Sequence, residues 1–257
     1  MRQNKIKAMW KAGKPAVAGW ISSGNTYITE AMAHAGYDAL VIDMQHGMGL
    51  TMDLTALCLQ TISTTDVVPM VRVPWNRPEY ISSALDAGAY GVIVPLVNSY
   101  EEAVQAGRSV RYAPEGDRSS GPNRARLYGG SDYVNCANDE VICLVMIETI
   151  EALEQLDKIA TAPGIDGFYV GPNDLALSLG LVPGSDVAKH PRHIEACQRV
   201  VDVAKAHGLV PCHHGSGPEE AVSRFTQGFM MCQLGSDVNM VASTAREAVQ
   251  TVRASVA

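Results

Sequence analysis

The sequence has no run of basic residues, and its formal net charge is −7. Nucleic acid and anionic membranes are therefore not expected partners. A small anionic substrate stays open, because a site can be locally basic inside an acidic protein. No stretch is long and apolar enough to span a bilayer. The opening segment MRQNKIKAMWKAGKP has lysines but no apolar core of the signal-peptide kind, so a cytoplasmic location is expected. CxxC pairs are absent too. Cys58, Cys136, Cys143, Cys197, Cys212 and Cys232 are scattered, several in apolar runs. They read as reduced core thiols rather than disulfides or zinc ligands. No repeat, linker or low-complexity tract divides the chain. Its 257 residues suit one barrel of roughly 250 residues, so a single catalytic domain over 1–257 is expected.

What the chain does have is alternation. Short apolar runs bounded by Gly, Pro or polar residues predict strands at Ala16–Ile21, Ala39–Asp43, Val67–Val71, Gly91–Pro95, Ile142–Ile147, Gly167–Gly171, Leu209–Cys212 and Phe229–Leu234. Their continuous hydrophobicity fits strands covered on both faces. Amphipathic segments lie between them, and Gly88, Gly208 and Gly228 read as helix stops. Eight strands with helices between them predict a closed (β/α)8 TIM barrel, with a doubly wound open sheet as the second choice. Two segments break the alternation. Tyr112–Ser131 reads as a long loop, and Leu177–His193 as a polar stretch that leaves His190 and His193 exposed.

In such a barrel the chemistry sits at the C-terminal strand ends. The second strand runs into Asp43, Gln45 and His46, and the third into Arg72. The fifth runs into Glu148, the sixth into Asn173 and Asp174, and the seventh into His213 and His214. Glu148 and Asp174 follow adjacent strands, so their carboxylates can meet. Alone, each reads as an ordinary acid at a helix start. Together they form a hard oxygen set suited to Mg²⁺ or Mn²⁺ rather than zinc. An Asp beside a His is the usual arrangement for a general base, so Asp43 is expected to orient the His46 ring. A strand-ending Asp and a loop-packing His is the equal alternative. Arg72 suits a carboxylate or a developing oxyanion, with a salt bridge to Asp43 or Glu148 as the plainer reading. Neighbours on a strand face opposite ways, so one of His213 and His214 is expected to face the pocket.

The motifs VIDMQHG, VRVPWN, DAGAYGVIVPLV, RYAPEGDRS, VMIETIEAL and GIDGFYVGPNDLALSLG occur in an order that resembles the HpcH/HpaI family of metal-dependent (class II) pyruvate aldolases, over nearly the whole chain. The resemblance implies reversible cleavage of 4-hydroxy-2-oxo acids to pyruvate and an aldehyde. It implies Glu148 and Asp174 as ligands of a divalent metal (Mg²⁺, Mn²⁺ or Co²⁺), which the 2-oxo acid chelates. Arg72 would contact the keto oxygen, and His46, held by Asp43, would act as acid and base. Backbone amides near Asn173 and Asp174 would take the substrate carboxylate. Gln45 would lie at the substrate, and so would His213 and His214, which stand where relatives often carry small or apolar residues, so a different aldehyde pocket is expected. Asp86 would reach across a subunit contact. The implied assembly is a homo-hexamer, a trimer of dimers that swap the last helix. Two positions depart from the pattern: relatives often carry Glu at Gln45 and Gln at Met146. Lysine is scarce at the strand ends, which argues against a Schiff base. The alternatives are oxaloacetate decarboxylation or other enolate chemistry of the macrophomate-synthase kind, and a catalytically weak barrel that only binds 2-oxo acids. A CoA-ester lyase ranks lower, because no C-terminal segment is expected to cover a CoA tail.

Overall fold

Eight strands pair in parallel, each with the next in the chain, and the last returns to the first to close a barrel. The computed structural model describes residues 1–184 and 187–256. The strands are β1 (Ala16–Ile21), β2 (Ala39–Asp43), β3 (Val68–Arg72), β4 (Gly91–Val94), β5 (Ile142–Ile147), β6 (Gly167–Val170), β7 (Val210–His213) and β8 (Met231–Ser236). The closed (β/α)8 architecture expected from the strand pattern is thus the one observed, with the third strand one residue later so that Arg72 belongs to it. Nearly every strand residue is buried, because helices cover the outer face and the barrel's own side chains fill the inside. That double burial is why the strands read as continuous apolar runs rather than alternating ones.

Helix termini set the mouth of the barrel. Thr149 directly follows Glu148, and its hydroxyl oxygen accepts the Ala152 N–H at 3.0 Å, capping the helix Ile150–Glu154. Pro172 opens the helix Pro172–Ser178, which places Asn173 and Asp174 in its first turn. At the opposite end, the helix Lys5–Lys11 packs across the strand starts, with the Trp10 indole donating to the Met230 carbonyl at 2.9 Å.

Two sequence-based expectations change. The expected loop Tyr112–Ser131 contains a short helix, Asn123–Gly129, which packs on the helix Pro78–Asp86 after β3 through the bond from Arg124 to the Ala87 carbonyl. His193 is fully buried rather than exposed. It lies inside the helix Pro191–Ala206 on the face turned to the barrel, and His190 instead caps that helix. Of the polar stretch Leu177–His193, Ser185 and Asp186 lie outside the described residues. The final helix, Asp237–Val256, buries only its first residue. Val238, Val241, Val249, Val252 and Val256 are exposed along it.

Candidate active site

A cavity of about 440 Å³ opens at the C-terminal ends of the strands, within the size range of small-molecule sites. Its lining brings together Asp43, His46, Arg72, Asn173 and His214 with Trp20, Ser22, Gln233, Ser236 and Asn239. The polar groups converge because residues two apart on a strand share a face: β1, β2, β3 and β8 present inward residues near their ends here, and the segments after β6 and β7 add Asn173 and His214. Register alignment levels them: Asp43 pairs with Arg72, Trp20 with Ser236, and Ala18 with Gln233.

Arg72 and Asp43 form the centre. The Arg72 Nε and Nη2 donate to the two Asp43 oxygens at 2.8 and 2.6 Å, a two-pronged pair. The Trp20 indole donates to the same carboxylate at 3.0 Å. The Arg72 guanidinium lies 4.9 Å from the Trp20 ring centre. Burial by itself would raise the Asp43 carboxyl, but the bonds from Arg72 and Trp20 more than offset it and hold it below its ordinary value. This corrects the expected Asp43–His46 pair. Asp43 touches His46 only through the backbone, accepting the Gln45 and His46 N–H groups at 3.1 and 3.2 Å. It fixes the turn that carries His46 while its strong bonds go to Arg72. The His46 ring itself is exposed at the cavity.

Glu148 is 1 % exposed. Its Oε1 accepts the Leu96 N–H at 2.8 Å. Leu96 follows β4 in the left-handed region, φ 51°, which costs a branched residue about 1 kcal/mol and turns that N–H toward the carboxylate. Burial pushes the Glu148 carboxyl up to about 7, the Leu96 bond opposes this, and the charge of Asp174 adds to it. Asp174 is exposed in the first turn of its helix. Among the described residues no cationic side chain forms an ion pair with Glu148, and no third His, Cys, Asp or Glu joins the two acids. A buried carboxylate with no ion-pair partner, which feels a second carboxylate at Asp174 and only a lesser pull from Arg72, fits a hard divalent ion. Such an ion would draw its remaining ligands from water or substrate oxygens. Glu148 and Asp174 would hold it.

Gly171 leaves room for this arrangement. A Cβ there would stand 2.3 Å from the Glu148 Oε2 and 2.9 Å from the Met146 Cε. Gly171→Ala is therefore expected to displace the carboxylate, weaken divalent-metal binding at least about tenfold and destabilise the fold by about 1–3 kcal/mol. Titration with Mn²⁺ and urea unfolding would measure both. Unchanged affinity would show that Glu148 does not hold the ion.

The two adjacent histidines part company as strand alternation requires. His214 lines the cavity, its ring 4.6 Å edge-on from Trp20 and its Nδ1 3.4 Å from the Tyr169 hydroxyl. His213 turns outward, fully buried against Phe229 and His193, with neither ring nitrogen hydrogen-bonded. It does not reach the cavity, so a substrate contact for it is set aside. Burial pushes His214 down to about 4 and His213 well below its ordinary value. Gln45 sits in the turn after β2 with Oε1 buried and unpartnered. Asp86 lies away from the cavity and accepts from Arg118 at 2.8 Å within its own chain. Asp237 ties β1 to β8 by accepting from Ser22 and Ser23.

Trp20, Leu96, Tyr169 and Gln233 are site residues absent from the sequence reading. Trp20 was findable as the inward residue ending the first strand, and Gln233 as a lone amide in an apolar strand. Nothing in the sequence marks the Leu96 N–H.

The profile of the HpcH/HpaI aldolase/citrate lyase family matches residues 17–244. A hydroxypyruvate/pyruvate aldolase of Rhizorhabdus wittichii is 40% identical, with 98% of this chain and 99% of that protein covered. A 5-keto-4-deoxy-D-glucarate aldolase of Citrobacter koseri is 35% identical, with 95% and 94% covered. The crystal structure of an HpcH/HpaI aldolase/citrate lyase family protein from Burkholderia cenocepacia superposes with a TM-score of 0.89 at 32% identity, covering 98% of this chain and 100% of that one.

Proposed function

Since this chain belongs to the HpcH/HpaI aldolase/citrate lyase family, we propose that it is a divalent-metal-dependent pyruvate aldolase, built on one barrel, that reversibly cleaves 4-hydroxy-2-oxo acids to pyruvate and an aldehyde. The observation that carries this reading is a locked guanidinium, Arg72 on Asp43, at the same mouth as the cation-seeking pair Glu148 and Asp174. Its two bonds to Asp43 use Nε and Nη2, which leaves Nη1 for a keto oxygen. The first-turn amides of the helix Pro172–Ser178 suit the substrate carboxylate. A divalent metal (Mg²⁺, Mn²⁺ or Co²⁺) held by Glu148 and Asp174 would polarise the 2-oxo group as a Lewis acid.

In the cleavage direction the C3–C4 bond breaks and its electron pair stays on the pyruvate fragment. The 4-hydroxyl proton passes to His46, directly or through a water, and the departing carbon becomes the aldehyde. The enolate oxygen then faces Arg72, whose charge stabilises it more than the neutral ketone. C3 finally takes a proton to give pyruvate. The exposed valines of the last helix and the partly exposed Asp86 support an assembly of several copies, read as a homo-hexamer with that helix on a neighbour.

Pyruvate release from a 4-hydroxy-2-oxo acid tests the reading. Chelation should abolish it, and Mg²⁺, Mn²⁺ or Co²⁺ should restore it. His46→Ala should lower turnover by about 10²-fold. Turnover undiminished by full chelation would overturn the proposal.

A further inference from the structure

β7, β8 and β1 form a continuous wall of the barrel that ends, at β1, opposite β5, the strand that Glu148 follows. Into the cavity it presents His214, Ser216, Gln233, Ser236 and Asn239, all uncharged side chains apart from the imidazole. Burial keeps His214 down at about 4, so it is neutral at pH 7. The charged residues lining the cavity, among those described, are Asp43, Arg72 and Glu220. Arg72 is already committed twice to Asp43. Glu220 is an acid whose Oε2 accepts from the Ser216 N–H and hydroxyl at 2.8 Å. Its Oε1 accepts from Arg224 at 3.3 Å, so that cation is committed as well. With the Arg72 Nη1 taken by the keto oxygen, a second carboxylate entering this side would meet no unpaired cation among the lining residues, and the Glu220 carboxylate beside it. Gln233 adds a second observation. It is 2 % exposed, lies inside a barrel strand beside Ala18, and its Oε1 has no partner. A buried amide left unpaired is costly, and a ligand hydroxyl would satisfy it.

We propose that this wall is the aldehyde subsite and that it selects a short, uncharged, hydroxylated aldehyde, read by Gln233 and His214, over an aldehyde that carries its own carboxylate. The inference rests on the pyruvate-aldolase reading above. In the addition direction the aldehyde carbonyl carbon bonds to C3 of the pyruvate enolate, its oxygen takes a proton to become the 4-hydroxyl, and its remaining carbons lie against this wall.

Kinetics of aldol addition with pyruvate and Mn²⁺ test it, using glyceraldehyde, propionaldehyde and succinic semialdehyde. For the wild type, kcat/KM for glyceraldehyde should exceed the other two at least about tenfold. Gln233→Met keeps the length and removes the hydrogen bonds. It should shrink the glyceraldehyde-to-propionaldehyde ratio about tenfold, whereas a merely structural role would lower both rates together. Glu220→Gln should raise the relative use of succinic semialdehyde several-fold, on the order of a single removed charge contact. Preference for succinic semialdehyde in the wild type, or unchanged ratios in both variants, overturns the inference. Metal-dependent exchange of the pyruvate methyl protons in D₂O separates the two levels, since it needs no aldehyde. Exchange without the expected selectivity sinks the aldehyde assignment and leaves the aldolase reading standing. Absence of both exchange and addition sinks the aldolase reading, and this inference with it.

Discussion

Arg72→Met is expected to cost about 10²–10³-fold in kcat for carbon–carbon cleavage and about 3–5 kcal/mol of folding stability. Both losses have the same origin. Arg72 is the charged partner of a carboxylate that is only 3 % exposed on its side chain. Truncating it strands Asp43 in the barrel with the Trp20 indole and two backbone N–H groups as its remaining donors. The sign of the pH effect follows. Asp43 is held below its ordinary value in the folded protein. It therefore contributes stability above the unfolded carboxylate value, lost as pH falls through the folded one. Without Arg72 that contribution disappears and burial dominates. The double variant Asp43→Asn with Arg72→Met should recover much of the stability, because no buried charge is left unpaired, yet recover none of the turnover. Urea unfolding and single-turnover pyruvate release would separate the two. Wild-type turnover in Arg72→Met would remove Arg72 from the mechanism.

Glu148→Gln is expected to lower metal-dependent turnover by about 10³-fold and to change how the metal-free protein responds to pH. Burial pushes the Glu148 carboxyl from 4.5 to about 7. Between those values the folded chain holds a proton that the unfolded chain has released. Stability from this group is therefore full below the unfolded value and falls as pH rises toward 7, by about 3 kcal/mol over the window. The buried histidines work the other way. His193 and His214 are both pushed down to about 4 by burial, so stability from them rises with pH up to the ordinary histidine range. The difference between wild type and Glu148→Gln isolates the carboxyl. In EDTA, the variant should gain on the wild type as pH rises from about 5 to 8. With Mn²⁺ that gain should vanish, because an ion that binds the carboxylate stabilises its charged form. Parallel pH–stability curves in EDTA would show that the Glu148 carboxyl is not desolvated as described.

Some of the site was readable one residue at a time. Glu148, Asp174, Arg72 and Asp43 each stand where an apolar run ends, and in a parallel barrel such ends converge. Other parts depended on a choice among partners. Asp43 has His46 three residues away in sequence, and that nearness suggested a pair. The structure gives its carboxylate oxygens to Arg72 and Trp20: Arg72 pairs with Asp43 in register on β3, and the long Trp20 indole reaches it from β1, where Trp20 pairs with Val41 two residues below. His46 sits past a turn, where only its backbone N–H can reach back.

What the sequence alone determined is the (β/α)8 barrel and the end of it where the acids gather. Strand and helix periods are local, and a parallel strand must be followed by a crossover. Only the tertiary structure decided which of those residues meet. The two-pronged Arg72–Asp43 bond, the Leu96 N–H on Glu148, the outward turn of His213 and the unpaired amide of Gln233 all depend on distances across the closed barrel. Those distances are set by register and closure between strands far apart in the chain, and local patterns carry no record of them.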